Sequence, residues 1–249
     1  VFLSHFASYV TYAEPIDQAG GQISVLLGQL IVACFLMYSG YGVCESIKKK
    51  GPAYVRTFPK NRVLKTLLHF ALAVIIFWGM QLCLGNSYSP ATVLLSLIGW
   101  ENLGNSNWYI FVVLVLYLIT WLAFVCFKNN QVLAVSLATV LTGLLILFLY
   151  YTQSSWWYDT ALCYVLGMWL SVFKNRFLKL ITKNNAVWLL CAIGSLAVFG
   201  FLYFRRASSW LGLLLKLSVP LAFCVVLLVF LTKIRISNKI LAFCGQYLF

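Results

Sequence analysis

Residues 107–127, NWYIFVVLVLYLITWLAFVCF, pass without one charged side chain. Wound as a helix at 1.5 Å per residue they reach about 30 Å, the thickness of a bilayer's hydrocarbon core. A helix is also the local structure that satisfies every backbone N–H and C=O without water. The stretch therefore predicts a transmembrane helix, and the same reading extends both ways along the chain. Further spanning helices are expected at 131–151, 158–173, 185–204 and 209–232 on one side, and at 62–84 and 23–44 on the other. Residues 1–13 and those from about 238 onward read as parts of two more. Between them lie a polar turn, EPIDQAGGQ, a basic stretch, SIKKKGPAYVRTFPKNRVLK, and a long loop after Cys83 that carries a short interfacial helix at 91–99. The expected fold is all-α: a polytopic transmembrane helix bundle of about nine helices, the first and last truncated. It forms a single integral-membrane domain over 1–249, with no soluble domain and no internal repeat. The opening VFLSHFASYVTYAE lacks a basic leader, so no cleavable signal peptide is expected.

Composition agrees. The chain is 63% hydrophobic and 9% charged, with a mean hydropathy of +0.93, whereas a soluble domain carries about 25% charged residues. The net charge of +13 does not make a nucleic-acid surface, because the basic residues are dispersed between apolar runs. Their distribution fits the positive-inside rule. Fifteen of the 18 Lys and Arg fall in alternate loops, at 48–65, 128, 174–183 and 233–239, while Glu14, Asp17, Glu101 and Asp159 fall on the other side with Arg205 and Arg206. The basic loops are expected in the cytoplasm and the protein in the cell (plasma or inner) membrane, surrounded by lipid. The eight cysteines show no CxxC and no metal-ligand spacing, so no metal site is expected and they read as packing residues.

Ionisable groups at membrane depth cost roughly 2.5–3.5 kcal/mol each on insertion scales, so each needs a partner, a hydrated cavity or a function. His5 lies in the first helix, roughly 12 Å below the outer polar turn at 1.5 Å per residue. It reads as a general base or as a histidine donating to a neighbouring helix. Arg62, Lys65 and His69 share a helix face by spacing. With Lys60 they read as a binding site for an anionic ligand's phosphates or as topology anchors. Tyr38-Ser39-Gly40-Tyr41-Gly42 permits close backbone approach or an unwound turn. Trp108, Tyr109, Trp156 and Trp157 fall at the outer boundary, as an aromatic belt or as sugar-stacking residues. No acid is placed beside His5 by spacing: Glu14 and Asp17 are close in sequence but sit in the outer turn, Glu101 or Asp159 would have to approach from other helices, and the spacing does not choose among the four.

In their order along the chain, these features resemble the acyltransferase 3 family of polytopic membrane O-acyltransferases. The resemblance is carried by VFLSHF, by FLMYSGYG against the family's FFxxSGY/F element, and by YVRTFPKNRVLK against the basic stretch opening its third helix. Weaker echoes are NWYIFVVLVLY, the glycine in YVLGMWLS, and NKILAFCGQYLF. The resemblance implies transfer of an acyl group, commonly acetyl from acetyl-CoA, to hydroxyls of bacterial cell-envelope polysaccharide or other exported, glycan or lipid-linked sugar acceptors. It implies His5 as the catalytic histidine, Lys60, Arg62 and Lys65 as the basic cluster, and Ser39, Gly40 and Tyr41 beside the acyl donor. Acyl-CoA enters as co-substrate, with no tightly bound cofactor. His69, Trp108, Glu101 and Asp159 are the further positions placed near the reaction or the acceptor. Two departures stand out. The family's arginine about eleven residues before the histidine would precede Val1, and Asn61 and lysines share a cluster that is often all arginine. The alternative from another class is a carrier of an anionic or lipid-linked sugar, which inverted repeats and paired broken helices would mark; a bundle subunit without chemistry is a third.

Overall fold

A computed structural model describes residues 10, 15–103, 107–128, 130–205 and 212–234. All regular structure among them is helical. The long helices are α1 (Pro15–Phe58), α2 (Lys65–Cys83), α4 (Trp108–Cys126), α5 (Gln131–Thr152), α6 (Ala161–Ile181), α7 (Asn185–Arg205) and α8 (Gly212–Leu231), with the short α3 (Pro90–Leu97) after α2. Five helical runs are long and apolar enough to cross a membrane, one of them continuous from Leu27 to Cys83 through a kink. The protein is a multi-pass membrane bundle. The expected first helix at 1–13 and the last from 238 lie outside the described residues, so the described part holds seven long helices rather than nine.

Three boundaries differ from the sequence reading, each for a local reason. The polar turn EPIDQAGGQ is helical from Pro15 onward, since proline's fixed φ suits a first helical position. The basic stretch is not a loop: α1 runs through it to Phe58, broken in its dihedrals at Gly51 (φ 66°, ψ −157°). Its lysines and alanine are good helix formers, and the left-handed φ at Gly51 is open to glycine without strain. A π-helical turn, Pro59–Leu64, then delivers the chain into α2. Helix α6 continues to Ile181, past the expected 173, because KNRFLKL keeps helical propensity beyond the apolar run.

The core is built where α1 meets α6. Ala33, Leu36, Met37, Gly40, Val43, Cys44 and Ile47 form a buried stripe on α1 at helical spacing. The two helices run parallel, since Gln29 meets Asp159, Gly40 meets Tyr164 and Glu45 meets Ser171. At the crossing the backbones touch. A Cβ on Gly40 would lie 2.0 Å from the Tyr164 carbonyl oxygen, and one on Gly167 would lie 1.9 Å from that of Met37. Helices α4 and α5 pack on this pair through Val112, Leu116, Ala134, Ala138 and Leu149, all buried. Helices α7 and α8 form a hairpin with a smaller core of Ile181, Ala192 and Val229, pinned where Trp188 Nε1 donates to the Val229 carbonyl and Lys233 Nζ to Asn185 Oδ1.

This topology sorts charge. Lys48, Lys49, Lys50, Lys174, Arg176, Lys179, Lys183 and Lys233 collect at one end of the bundle, and Asp159 with the Trp100–Phe111–Trp157 ring cluster sits at the other.

The helix crossing makes a sharp prediction. Gly40→Ala and Gly167→Ala push a methyl into backbone that cannot rotate away, and each should cost about 1–3 kcal/mol or more. Gly42→Ala, two residues along, meets nothing within 4 Å and should be neutral or stabilising by up to about 1 kcal/mol. Melting of the detergent-solubilised variants by tryptophan fluorescence checks the contrast.

Candidate functional site

Helix α1 carries polar side chains along its length, and several of them meet partners elsewhere in the bundle. At the acidic end Gln29 Nε2 donates to Asp159 Oδ1 at 2.6 Å and to the Trp156 carbonyl at 3.2 Å. Midway, Ser39 Oγ and Tyr117 Oη share a hydrogen bond of 3.0 Å. At the basic end Glu45 Oε1 accepts from Ser171 Oγ at 2.6 Å and from Lys48 Nζ at 3.0 Å, and Lys48 also donates to the Ser171 carbonyl. There too Lys174 Nζ donates to Tyr41 Oη at 2.7 Å. Hydroxyl partners suit the middle of a bilayer, where a charge would be costly.

Tyr117 is the junction of this ladder. Its ring meets Phe58 edge to face at 5.8 Å and lies 6.2 Å from Tyr164, whose hydroxyl pairs with Thr120 Oγ1 at 2.9 Å. Phe58, 1% exposed, meets Tyr54 edge to face at 5.7 Å. Tyr54 Oη in turn accepts from Arg62 Nε at 3.2 Å. The break at Gly51 turns these residues back toward the bundle, so rings and hydroxyls connect Ser39 to Arg62.

The residues singled out from sequence separate into groups. Ser39 and Arg62 are joined through Tyr117, Phe58 and Tyr54. Gly40 is committed to the helix crossing, and Tyr41 reaches the basic end through Lys174. Lys60, Lys65 and His69 are exposed. Lys60 stands two positions before Arg62, and residues at that spacing do not face each other on a helix. Trp108 packs edge-on against Tyr109, and Glu101 is exposed, its carbonyl accepting from Asn107 Nδ2 at 2.5 Å. These two share an end of the bundle with Asp159 but have no recorded contact with it. His5 lies outside the described residues. Sequence reasoning missed Tyr54, Phe58, Tyr117, Tyr164, Ser171 and Lys174. For all but Phe58 the legible part of that signal was residue type: hydroxyls and a lysine inside otherwise apolar or basic runs.

Matched against family models, the whole chain, residues 1–249, fits an acyltransferase domain. The chain belongs to the acyltransferase 3 family. No curated protein and no solved structure matches it. For a member of this family the two ends of the bundle acquire chemical meaning, because an acyltransferase must bring a donor and an acceptor to one point.

Asp159 caps the acidic end just before α6. Burial penalises its ionised form more than the Gln29 amide, the Thr160 backbone N–H and the Lys216 charge favour it, and its carboxyl is pushed up to about 6. An unfolded chain releases this proton near the usual carboxylate value. Between that value and about 6 the folded protein holds a proton that the unfolded chain has lost. The contribution to stability is therefore complete at about pH 4 and declines as pH rises through 6. Melting temperatures between pH 4 and 7 should show this decline in the parent protein and a flatter profile in Asp159→Asn.

Proposed function

We propose that this protein is an O-acyltransferase that moves an acyl group, acetyl in the simplest case, from acyl-CoA to a hydroxyl of a cell-surface or exported glycan. In this reading the protein sits in the bacterial cell membrane with its basic end in the cytoplasm. Acyl-CoA approaches from that end, where phosphates find uncompensated cations. His5 takes the proton of the acceptor hydroxyl, and the oxygen attacks the thioester carbonyl. The C–S bond breaks, and the CoA thiolate takes a proton from the imidazolium and leaves on the basic side. The products are an ester and free CoA, and the histidine returns neutral. The base role goes to His5 because VFLSHF is the element that resembles the family's histidine-bearing first helix.

The observation that carries the reading is the junction at Tyr117. Ser39, of the serine-glycine-tyrosine element at 39–41, bonds Tyr117 directly, and Arg62, of the basic cluster, is linked to it through Tyr54 and Phe58. Such a linkage is expected if both serve one ligand. The acidic end, with Trp156 exposed beside Gln29 and Asp159, is the side from which the acceptor would enter. Aromatic faces and planar polar groups are the chemistry that recognises sugars.

The test pairs two variants. His5→Ala should lower acetyl transfer from labelled acetyl-CoA by about 10² to 10⁴ while leaving expression, melting temperature and CoA binding unchanged. Arg62→Ala should weaken CoA binding by about 10- to 100-fold, the loss of charge-assisted hydrogen bonds to phosphate. Full transfer activity in His5→Ala would overturn the assignment, and mass analysis of surface glycans for a lost acyl group identifies the acceptor.

A further inference from the structure

Arg62 is held in an unusual way for an arginine at the edge of a membrane bundle. Its Nε donates to a neutral phenol, Tyr54 Oη, at 3.2 Å. The ion pair found among the described residues, Lys48 with Glu45, does not involve it, so no described carboxylate neutralises its charge. One of its five N–H donors is spent on Tyr54. The two terminal amino groups, which form the fork that matches phosphate oxygens, make no hydrogen bond to any of the described residues.

Tyr54 is in turn fixed to the core. Phe58 grips its ring edge-on at 5.7 Å, and Phe58 is itself locked against Tyr117 at 5.8 Å. Lys50 Nζ lies 5.0 Å from the Tyr54 ring centroid, so one ring gathers two cations. The backbone explains how Arg62 reaches it. In an unbroken α-helix residues eight apart differ by about 80° in direction. The π-helical turn Pro59–Leu64 advances only about 80° per residue, having roughly one more residue per turn. Four α steps from Tyr54 to Phe58 and four π steps to Arg62 then sum to about two full turns, which places Arg62 above Tyr54.

We propose that Tyr54 is a positioning residue: its hydroxyl occupies Arg62 Nε and so presents the terminal fork of the guanidinium to an anion. Resting on the acyl-CoA reading above, that anion is a phosphate of the donor's nucleotide portion. Tyr54 does not touch the donor. It acts through Arg62, and the π turn supplies the register that makes this possible.

Tyr54→Phe tests this, because it keeps the ring, the contact with Phe58 and the Lys50 cation over the face while deleting the hydroxyl alone. CoA and inorganic pyrophosphate binding, measured by calorimetry on detergent-purified protein, should weaken by about three- to tenfold, the scale of one net hydrogen bond. KM for acetyl-CoA should rise in step, with kcat and melting temperature unchanged. In an Arg62→Ala background the same substitution should change nothing further. Equal losses in both backgrounds, an unchanged affinity in Tyr54→Phe, or a fall in kcat with KM preserved would each overturn the proposal. Pyrophosphate bound through Arg62 and Tyr54 without any binding of CoA would keep the anion receptor and remove the acyl-CoA reading. Failure to bind either probe would refute both.

Discussion

The contact between the backbones of α1 and α6 at Gly40 and Gly167 governs the bundle. Apolar side chains give little preference between a neighbouring helix and lipid tails, so membrane helices associate through close packing and interhelical hydrogen bonds. With no side chain at Gly40 and Gly167, the carbonyls of Tyr164 and Met37 occupy the space where a Cβ on the opposite helix would stand. That proximity lets short polar groups span the interface: Gln29 reaches Asp159, and Glu45 reaches Ser171. Each such bond contributes modestly, on the order of 0.6 kcal/mol in membrane proteins. Together they allow one register between the helices and exclude its neighbours.

The chemistry along α1 follows a gradient that the membrane imposes. Charged or ionisable partners occur at its two ends, and hydroxyls serve in between. Tyr117 holds Ser39 midway along α1, Thr120 holds Tyr164 between α4 and α6, and beyond the break at Gly51 Tyr54 holds Arg62. A carboxylate facing Arg62 would have made a stronger pair and a poorer receptor, because the guanidinium would already be satisfied. A phenol orients the arginine and leaves its charge available. The same economy shows in the broken helix at Gly51, which turns the end of α1 back so that aromatic residues of the basic stretch contribute to the interior.

Much of this was legible from residues alone. Spanning segments follow from apolar length, and the sorting of lysines to one end follows from their spacing along the chain. The Tyr38–Gly42 element reads as a close backbone approach or an unwound turn; it stays helical and only Gly40 makes a close approach, while Gly42 has open space around it, and nothing in the sequence distinguishes the two glycines. Cutting the chain at its polar clusters places a basic loop between helices expected at 23–44 and 62–84. The chain instead uses both prolines inside helical turns. A π-helical turn leaves no compositional trace, so the meeting of Tyr54 with Arg62, eight positions apart, could not be read from α-helical periodicity. Contacts such as Ser39 with Tyr117 depend on which helices are neighbours, and that is decided by the Gly40–Gly167 crossing rather than by any local pattern.

The hydrogen bonds of α1 at its two ends also set a fixed length scale. Gln29 and Glu45 are 16 positions apart, about 24 Å along a helix, and are tied to Asp159 just before α6 and to Ser171 within it. The helix pair behaves as a strut that neither tilts independently nor slides. Lipid around it has to thin or thicken to match its apolar height, at fractions of a kcal/mol per ångström of mismatch. The apolar height that surrounding lipid meets at this pair is therefore set by the polypeptide.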